Sequence, residues 1–170
     1  MKPTSSNNRC RRGSTLIEAA IATGVLAVAI PLVCGVLAEA GKSGIVSQAE
    51  TRSTWIIPAC IDEIRASRDG CPRYFTPTAN GQALPPTGEV WALAFAADGK
   101  PLGKLAGALY TRGTREMDGI NVRYIASISS SPPSAEAAGA PLMPVHISLE
   151  FPASAPAAKR RKLAFHTLMP

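Results

Sequence analysis

The chain has 170 residues, a formal charge of +6, four cysteines, 15 prolines and 14 glycines. That length suits one modest domain with appendages. The aromatic content is only 5%, which together with the prolines and glycines predicts a small core with plentiful loops.

The N-terminal segment, residues 1–13, is polar and basic, with Lys2, Arg9, Arg11 and Arg12 placed before an apolar run. Basic residues that flank a membrane span tend to stay cytoplasmic, so this segment indicates an orientation signal. A second basic cluster occupies residues 159–162. Charge runs are usually solvated, and no aromatic residues are interleaved, so we interpret it as an exposed loop end and expect no nucleic-acid binding.

Residues 19–38 form an apolar run that just meets the length of about 20 residues needed to span a bilayer. After Gly44 the pattern becomes amphipathic, and one predicted buried face recurs at steps of three and four residues: Val46, Ala49, Ser53, Ile56 or Ile57, Cys60 and Ile64. We therefore predict one long helix over residues 14–67, kinked or locally loosened at Pro31 and kinked again at Pro58. Its first half is apolar all round and its second half packs against a partner.

Strand patterns dominate the rest of the chain. They fall at residues 89–95, 104–111, 120–129, 145–151 and 163–168, with a turn at 97–101 and loops at 72–88, 129–144 and 152–161. Strands that follow a long helix without alternating with helices predict an α+β fold, in which the helix packs on a small, mostly antiparallel sheet.

The four cysteines fall in different parts of the chain. Cys10 lies in the basic segment and Cys34 in the apolar run, while Cys60 and Cys71 belong to the remainder. In an oxidising compartment Cys60 and Cys71 could form a disulfide, which would stabilise the fold by about 3 kcal/mol on the chain-entropy estimate. Two unpaired thiols are an equally open alternative.

The junction of the basic segment and the apolar run reads Gly13-Ser14-Thr15-Leu16-Ile17-Glu18. An ordinary signal peptide is cut after its apolar segment, whereas here the small residue Gly13 comes before it. Glu18 lies four residues after Ser14, on the same helical face. A carboxylate near a bilayer centre costs about 2.5–3.5 kcal/mol, and less near the interface, so we expect Glu18 to have a partner.

These residues resemble the cleavage and methylation motif of type IV pilins and type II secretion pseudopilins. The resemblance implies that a prepilin peptidase cuts after Gly13, that Ser14 becomes the methylated terminus, and that Glu18 pairs with the terminal amine of a neighbouring subunit. The sequence departs from the family at Ser14, where Phe or Met is usual, and at Pro31, which lies earlier than the usual proline. Residues 151–168 also resemble uncharacterised verrucomicrobial prepilin-type cassette proteins.

The resemblance further implies a pilin-like organisation: a cleaved leader at 1–13, a transmembrane assembly helix at 14–40 and an extracytoplasmic α+β domain at 41–170. We therefore expect a minor pilin or pseudopilin in the inner membrane, with one span and a periplasmic C-terminal domain, in a type IV pilus or type II secretion-like filament. Its expected partners are other pilin subunits, the prepilin peptidase and the inner membrane.

Two other readings compete with this one. Ala38-Glu39-Ala40 fits a signal-peptidase site, which would release an exported soluble protein beginning at Gly41; the apolar run exceeds the 7–15 residues typical of such signals. An enzyme is the second rival. The only histidines are His146 and His166, and no HExxH, GxSxG or phosphate-loop motif occurs. We predict no catalytic residues, no cofactor and no metal site.

Overall fold

The computed structural model describes residues 14–75, 85, 88–131 and 143–169. It confirms the predicted α+β class, with a long N-terminal helix packed on a six-stranded antiparallel sheet. The elements are α1 (Ser14–Arg68), β1 (Trp91–Ala96), β2 (Pro101–Lys104), α2 (Gly107–Arg112), β3 (Glu116–Met117), β4 (Ile120–Ser130), β5 (Met143–Phe151) and β6 (Arg161–Met169). A 3₁₀ turn, Ala157–Lys159, precedes β6.

The chain divides into two compact units, Met1–Val46 and Ser47–Pro170, and α1 contributes to both. The sequence placed the corresponding boundary after residue 40. Helical structure runs through both Pro31 and Pro58. Each proline removes only one backbone donor, and the hydrogen bonds of the turns on both sides keep the helix intact.

In the second unit, α1 buries one face. Ala49, Ser53, Ile56, Cys60 and Ile64 are all at most 8% exposed, which confirms the predicted spacing and selects Ile56 rather than Ile57. The helix packs against the sheet through this face.

The sheet has the strand order β2-β1-β4-β5-β6, with β3 added to β4. Residues opposite each other in an antiparallel pair share a face, so the register Leu93↔Ala126 and Ala126↔Leu149 defines one face across three strands. The buried side chains of this face are Trp91, Leu93, Phe95, Tyr124, Ala126, Ile128, Val145, Ile147, Leu149 and Phe151.

The opposite face of the sheet is covered as well. Its core consists of Ala92, Ala94, Leu105, Val122, Ile125 and Ala153, with Leu102, Tyr110 and Met117 packed against it. The strand predicted over 104–111 is wrong, because only residues up to Lys104 are extended and Gly107–Arg112 is helical. Leu105 enters this core while its N–H donates to the Ala92 carbonyl, and the chain then turns so that α2 can supply Tyr110.

Two tight turns connect neighbouring strands. The predicted turn at 97–101 is confirmed: Gly99 has φ 89°, and the Asp98 carboxylate accepts the Lys100 N–H at 3.0 Å. The hairpin between β3 and β4 was not predicted. Its Asp118-Gly119 pair has φ values of 51° and 78°, the left-handed conformation that this dipeptide favours in two-residue hairpins.

Candidate functional site

The first unit presents an apolar helical surface. Every large apolar side chain between Leu16 and Leu37 is exposed, from 52% at Val33 to 75% at Leu16. Helix α1 is long and apolar enough in this region to cross a membrane. Exposed apolar side chains on all sides of a helix are typical of a segment that lipid or other helices cover.

The predicted assembly residues lie at the start of this surface. Gly13 is outside the described residues, and Ser14 is the first residue of α1. Glu18 is exposed, one turn into the helix, and forms no ion pair with any other residue that the structure describes. No charged residue follows it until Glu39, so its carboxylate is the one charge on the leading part of the apolar segment.

The polar backbone and side chains of this segment are largely satisfied within the helix. Thr23 Oγ1 donates to the Ala19 carbonyl at 2.7 Å, so its hydroxyl needs no external partner. Gly24 and Gly35 have open space where a Cβ would lie. Small residues on a membrane helix allow another helix to approach closely.

Cys60 and Cys71 are free thiols in this structure, so the possible disulfide is not formed. Cys60 is fully buried in the face of α1 that packs on the sheet, whereas Cys71 is exposed beyond the helix end. Glu63 is only 7% exposed. Its Oε1 accepts the backbone N–H groups of residues 73, 74 and 75 at 2.9, 2.6 and 3.2 Å, which fastens the chain after α1 to the helix.

Three residues of the basic cluster at 159–162 are exposed, as predicted, but Arg160 is not. Arg160 is only 6% exposed, and its Nη1 contacts Oε2 of the fully buried Glu150 at 3.0 Å. Lys162 Nζ lies 3.0 Å from the other oxygen of Glu150, with its own side chain 51% exposed. Lys159 and Arg161 are exposed and form no ion pair with another described residue. The cluster therefore closes the fold and offers little free charge to a polyanion.

Four groups satisfy the Glu150 carboxylate. Besides the two cations, the Tyr110 hydroxyl donates at 2.8 Å and the Ser127 hydroxyl at 3.2 Å. Arg160 is equally well held, because its Nε donates to the Ala155 carbonyl at 2.8 Å, its Nη2 donates to the Tyr110 carbonyl, and its guanidinium lies 5.1 Å from the Tyr110 ring centre. Buried charges persist only with such pairing, so this network ties β4, β5 and α2 together.

The network makes stability depend on pH. Burial by itself would raise the pKa of Glu150, but hydrogen bonds from Tyr110, Lys162 and Arg160 outweigh burial and the pKa is lowered. Burial first, and then Glu150, raise the pKa of Tyr110. The hydrogen bond to Glu150 raises the pKa of Lys162.

We expect the free energy of unfolding to fall in acid as the pH drops through the lowered pKa of Glu150, because the unfolded state then binds the proton more tightly. It should fall again in alkali as the pH rises through the raised pKa values of Tyr110 and Lys162. Urea unfolding of the full chain in detergent across this range tests both arms. In Glu150→Gln the acid decline should flatten, and an unchanged decline would contradict the assignment.

A polar cleft of about 850 Å³ lies elsewhere on the second unit. Arg52, Arg115 and Arg123 line it, together with Gln48, Thr51, Asn121 and Ser154. Among the described residues these arginines form no ion pair. Guanidinium groups bind carboxylates and phosphates through paired N–H donors, so the cleft can accept an anionic group. Nothing in the linear sequence signalled it, since the arginines are far apart along the chain.

The two histidines lie in strands, as predicted, and the structure brings them together. His146 of β5 is directly opposite His166 of β6, with ring centroids 4.6 Å apart. Within the described part of the chain, no group of three or more His, Cys, Asp and Glu residues is placed to hold a metal ion.

Fold and surface together define an α+β domain that follows a helix of membrane-spanning length and composition. No protein-family model matches the chain, and no curated protein or solved structure shows significant similarity to it.

Proposed function

We propose that this protein is a minor pilin or pseudopilin, made as a prepilin, cut after Gly13 and assembled into a filament through its N-terminal helix. One observation supports the proposal above all: Gly13 directly precedes an apolar helix that begins with the remaining motif residues, and the large apolar side chains of this helix are exposed on all sides. Cleavage before such a helix leaves it on the mature subunit as an anchor.

The exposed surface of α1 supports membrane insertion and helix-to-helix assembly. Burying a Val, Leu or Ile side chain contributes about 1.5–3 kcal/mol, and every such residue from 16 to 37 is more than half exposed. Exposing that apolar surface to water is energetically unfavourable. Lipid covers it before assembly, and the helices of neighbouring subunits cover it in a filament.

Glu18 is the assembly carboxylate in this proposal. After cleavage the amine of Ser14 lies one helical turn from Glu18 on the same face. The first N–H groups of a helix have no acceptor within the helix, so this amine needs a partner elsewhere. In a low-dielectric bundle an amine of one subunit and a carboxylate of the next attract each other strongly. The pair removes the cost of holding each charge in lipid and fixes the axial register of two helices.

The basic leader and the second unit complete the topology. Lys2, Arg9, Arg11 and Arg12 keep the N-terminus cytoplasmic, so the span places residues 47–170 on the periplasmic side of the inner membrane. The sheet and its helix then form the outer part of the subunit, and the prepilin peptidase acts at the cytoplasmic face.

Replacement of Glu18 by Ala tests the assembly role. We expect Glu18→Ala to insert in the membrane normally, while its recovery in sheared filaments falls about tenfold or more, since each 1.4 kcal/mol of lost pairing energy changes an equilibrium about tenfold. Quantitative immunoblots of the membrane and filament fractions from the native host measure both quantities.

Glu39→Ala is the matched control. Glu39 is on the same helix but beyond the apolar run, where it pairs with Lys42 at 3.1 Å on an exposed surface. Its removal should change neither fraction. Equal incorporation of Glu18→Ala and the wild type would overturn the role assigned to Glu18.

A further inference from the structure

The end of the sheet carries a pair of imidazoles. His146 and His166 are register partners on β5 and β6, and their ring planes are inclined at 52°. β6 is the terminal strand of the sheet. His166 is exposed and His146 half-buried. Both line an open cleft of about 640 Å³ together with Ser129 and Thr167. The pair is therefore accessible to a small solute.

The two rings are not engaged by other described groups. The rings contact each other, and among the described residues neither forms a hydrogen bond or an ion pair. The described residues that line the cleft include no acidic or basic side chain apart from the histidines themselves. No carboxylate among the described residues of this site pairs with either histidine, so the ring nitrogens can bind a ligand from solution.

The spacing of the rings matches shared coordination. With metal–nitrogen distances of about 2.0–2.1 Å, two imidazoles bound to one ion at 90–109° place their ring centres about 4.5–5.2 Å apart. The observed separation is 4.6 Å. Imidazole nitrogen is a preferred ligand of Cu²⁺, Ni²⁺ and Zn²⁺, and affinity among these ions is highest for Cu²⁺.

We propose that His146 and His166 form a two-histidine binding site for a divalent transition-metal ion, with Cu²⁺ bound most tightly and water in the remaining positions. The proposed site differs from the sequence prediction, which expected no metal site. It links the terminal strand β6 to β5, so an occupied site would hold that strand in the sheet. This proposal is independent of the pilin assignment, because both ligands belong to the sheet.

The test uses the full chain in detergent, without a polyhistidine tag and with accessible thiols alkylated, since free cysteines also bind these metals. Titration with Cu²⁺ alone should raise the unfolding temperature, because an ion that binds only the folded state stabilises it. The electron paramagnetic resonance spectrum of the bound ion should show nitrogen coordination.

His146→Gln and His166→Gln should each weaken Cu²⁺ binding by about 10²-fold or more, since the second imidazole of a chelate binds intramolecularly. Leu168→Gln is the matched control: it lies on the same strand and in the same cleft, is 63% exposed, and leaves both ligands in place. It should bind as the wild type does. The unfolding temperature without metal verifies that each variant is folded. Wild-type affinity in either histidine variant would overturn the site.

Discussion

We expect Arg160→Ala to lower the free energy of unfolding by about 3–5 kcal/mol, because it removes the fully buried partner of a buried ion pair and leaves only the half-exposed Lys162 to pair with Glu150. The Glu150 and Arg160 side chains are both 0% exposed, and their contact is 3.0 Å. Arg160 also holds the Ala155 carbonyl, so the loop before β6 loses its anchor. Urea unfolding of the full chain in detergent measures the loss.

Lys162→Ala provides a control with the same partner and the same distance. Lys162 contacts Glu150 at 3.0 Å, as Arg160 does, but its side chain is 51% exposed. Ion pairs between exposed side chains contribute about 0–1 kcal/mol, and we expect the half-exposed Lys162 to lie nearer to that range than Arg160 does. The two alanine variants should therefore differ severalfold in their effect. Equal losses would show that burial does not control the contribution of this network.

Gly13→Glu should abolish processing, so that the membrane fraction contains only a precursor that retains residues 1–13. The reason is steric and electrostatic: a peptidase that accepts a residue without a side chain at the cut cannot accommodate a long, charged one. Intact-mass measurement of the purified membrane protein distinguishes precursor from mature subunit.

Ala40→Leu is the control for this experiment. It removes the small residue required by the competing signal-peptidase site at Ala38-Glu39-Ala40 and leaves Gly13 untouched. We expect it to be processed normally. Normal processing of Gly13→Glu together with failure of Ala40→Leu would transfer the cut from Gly13 to Ala40.

Much of the fold follows from periodicity. The three- and four-residue spacing of Ala49, Ile56, Cys60 and Ile64 predicted the buried face of α1, and the alternation from Val122 to Ile128 predicted β4. Such local patterns predict the structure correctly because the side chains that form the pattern also form the core.

Other features depend on contacts between residues far apart in sequence. Before α2, Leu105 enters the core, and within α2 the Tyr110 hydroxyl donates to Glu150. Neither contact can be read from residues 104–111 alone, so the pattern there did not predict the helix. In the same way, nothing in the sequence around Glu150 and Arg160 indicates that they are buried. They pair because β5 and the loop after it bring them together. The Asp118-Gly119 turn is different, because that dipeptide is a recognisable hairpin signal that the sequence analysis overlooked.

The candidate functional residues also differ in whether they could be predicted from neighbouring residues in the sequence. Glu18 could be singled out from the sequence because its meaning depends on neighbours along one helix. The His146–His166 pair required the register of β5 on β6, and the arginine cleft required three separate elements to converge. Cys60 is buried on the face of α1 that packs on the sheet, whereas Cys71 is exposed, and both are free thiols. Their spacing in the sequence had left open whether they form a disulfide.

The mass of the N-terminal peptide of the native protein distinguishes cleavage after Gly13 from cleavage after Ala40. If the mature subunit keeps its apolar helix, protein extracted from membranes begins at Ser14, with or without a methyl group on its amine. A soluble product that begins at Gly41 would contradict the account, because the apolar helix would then be a discarded export signal.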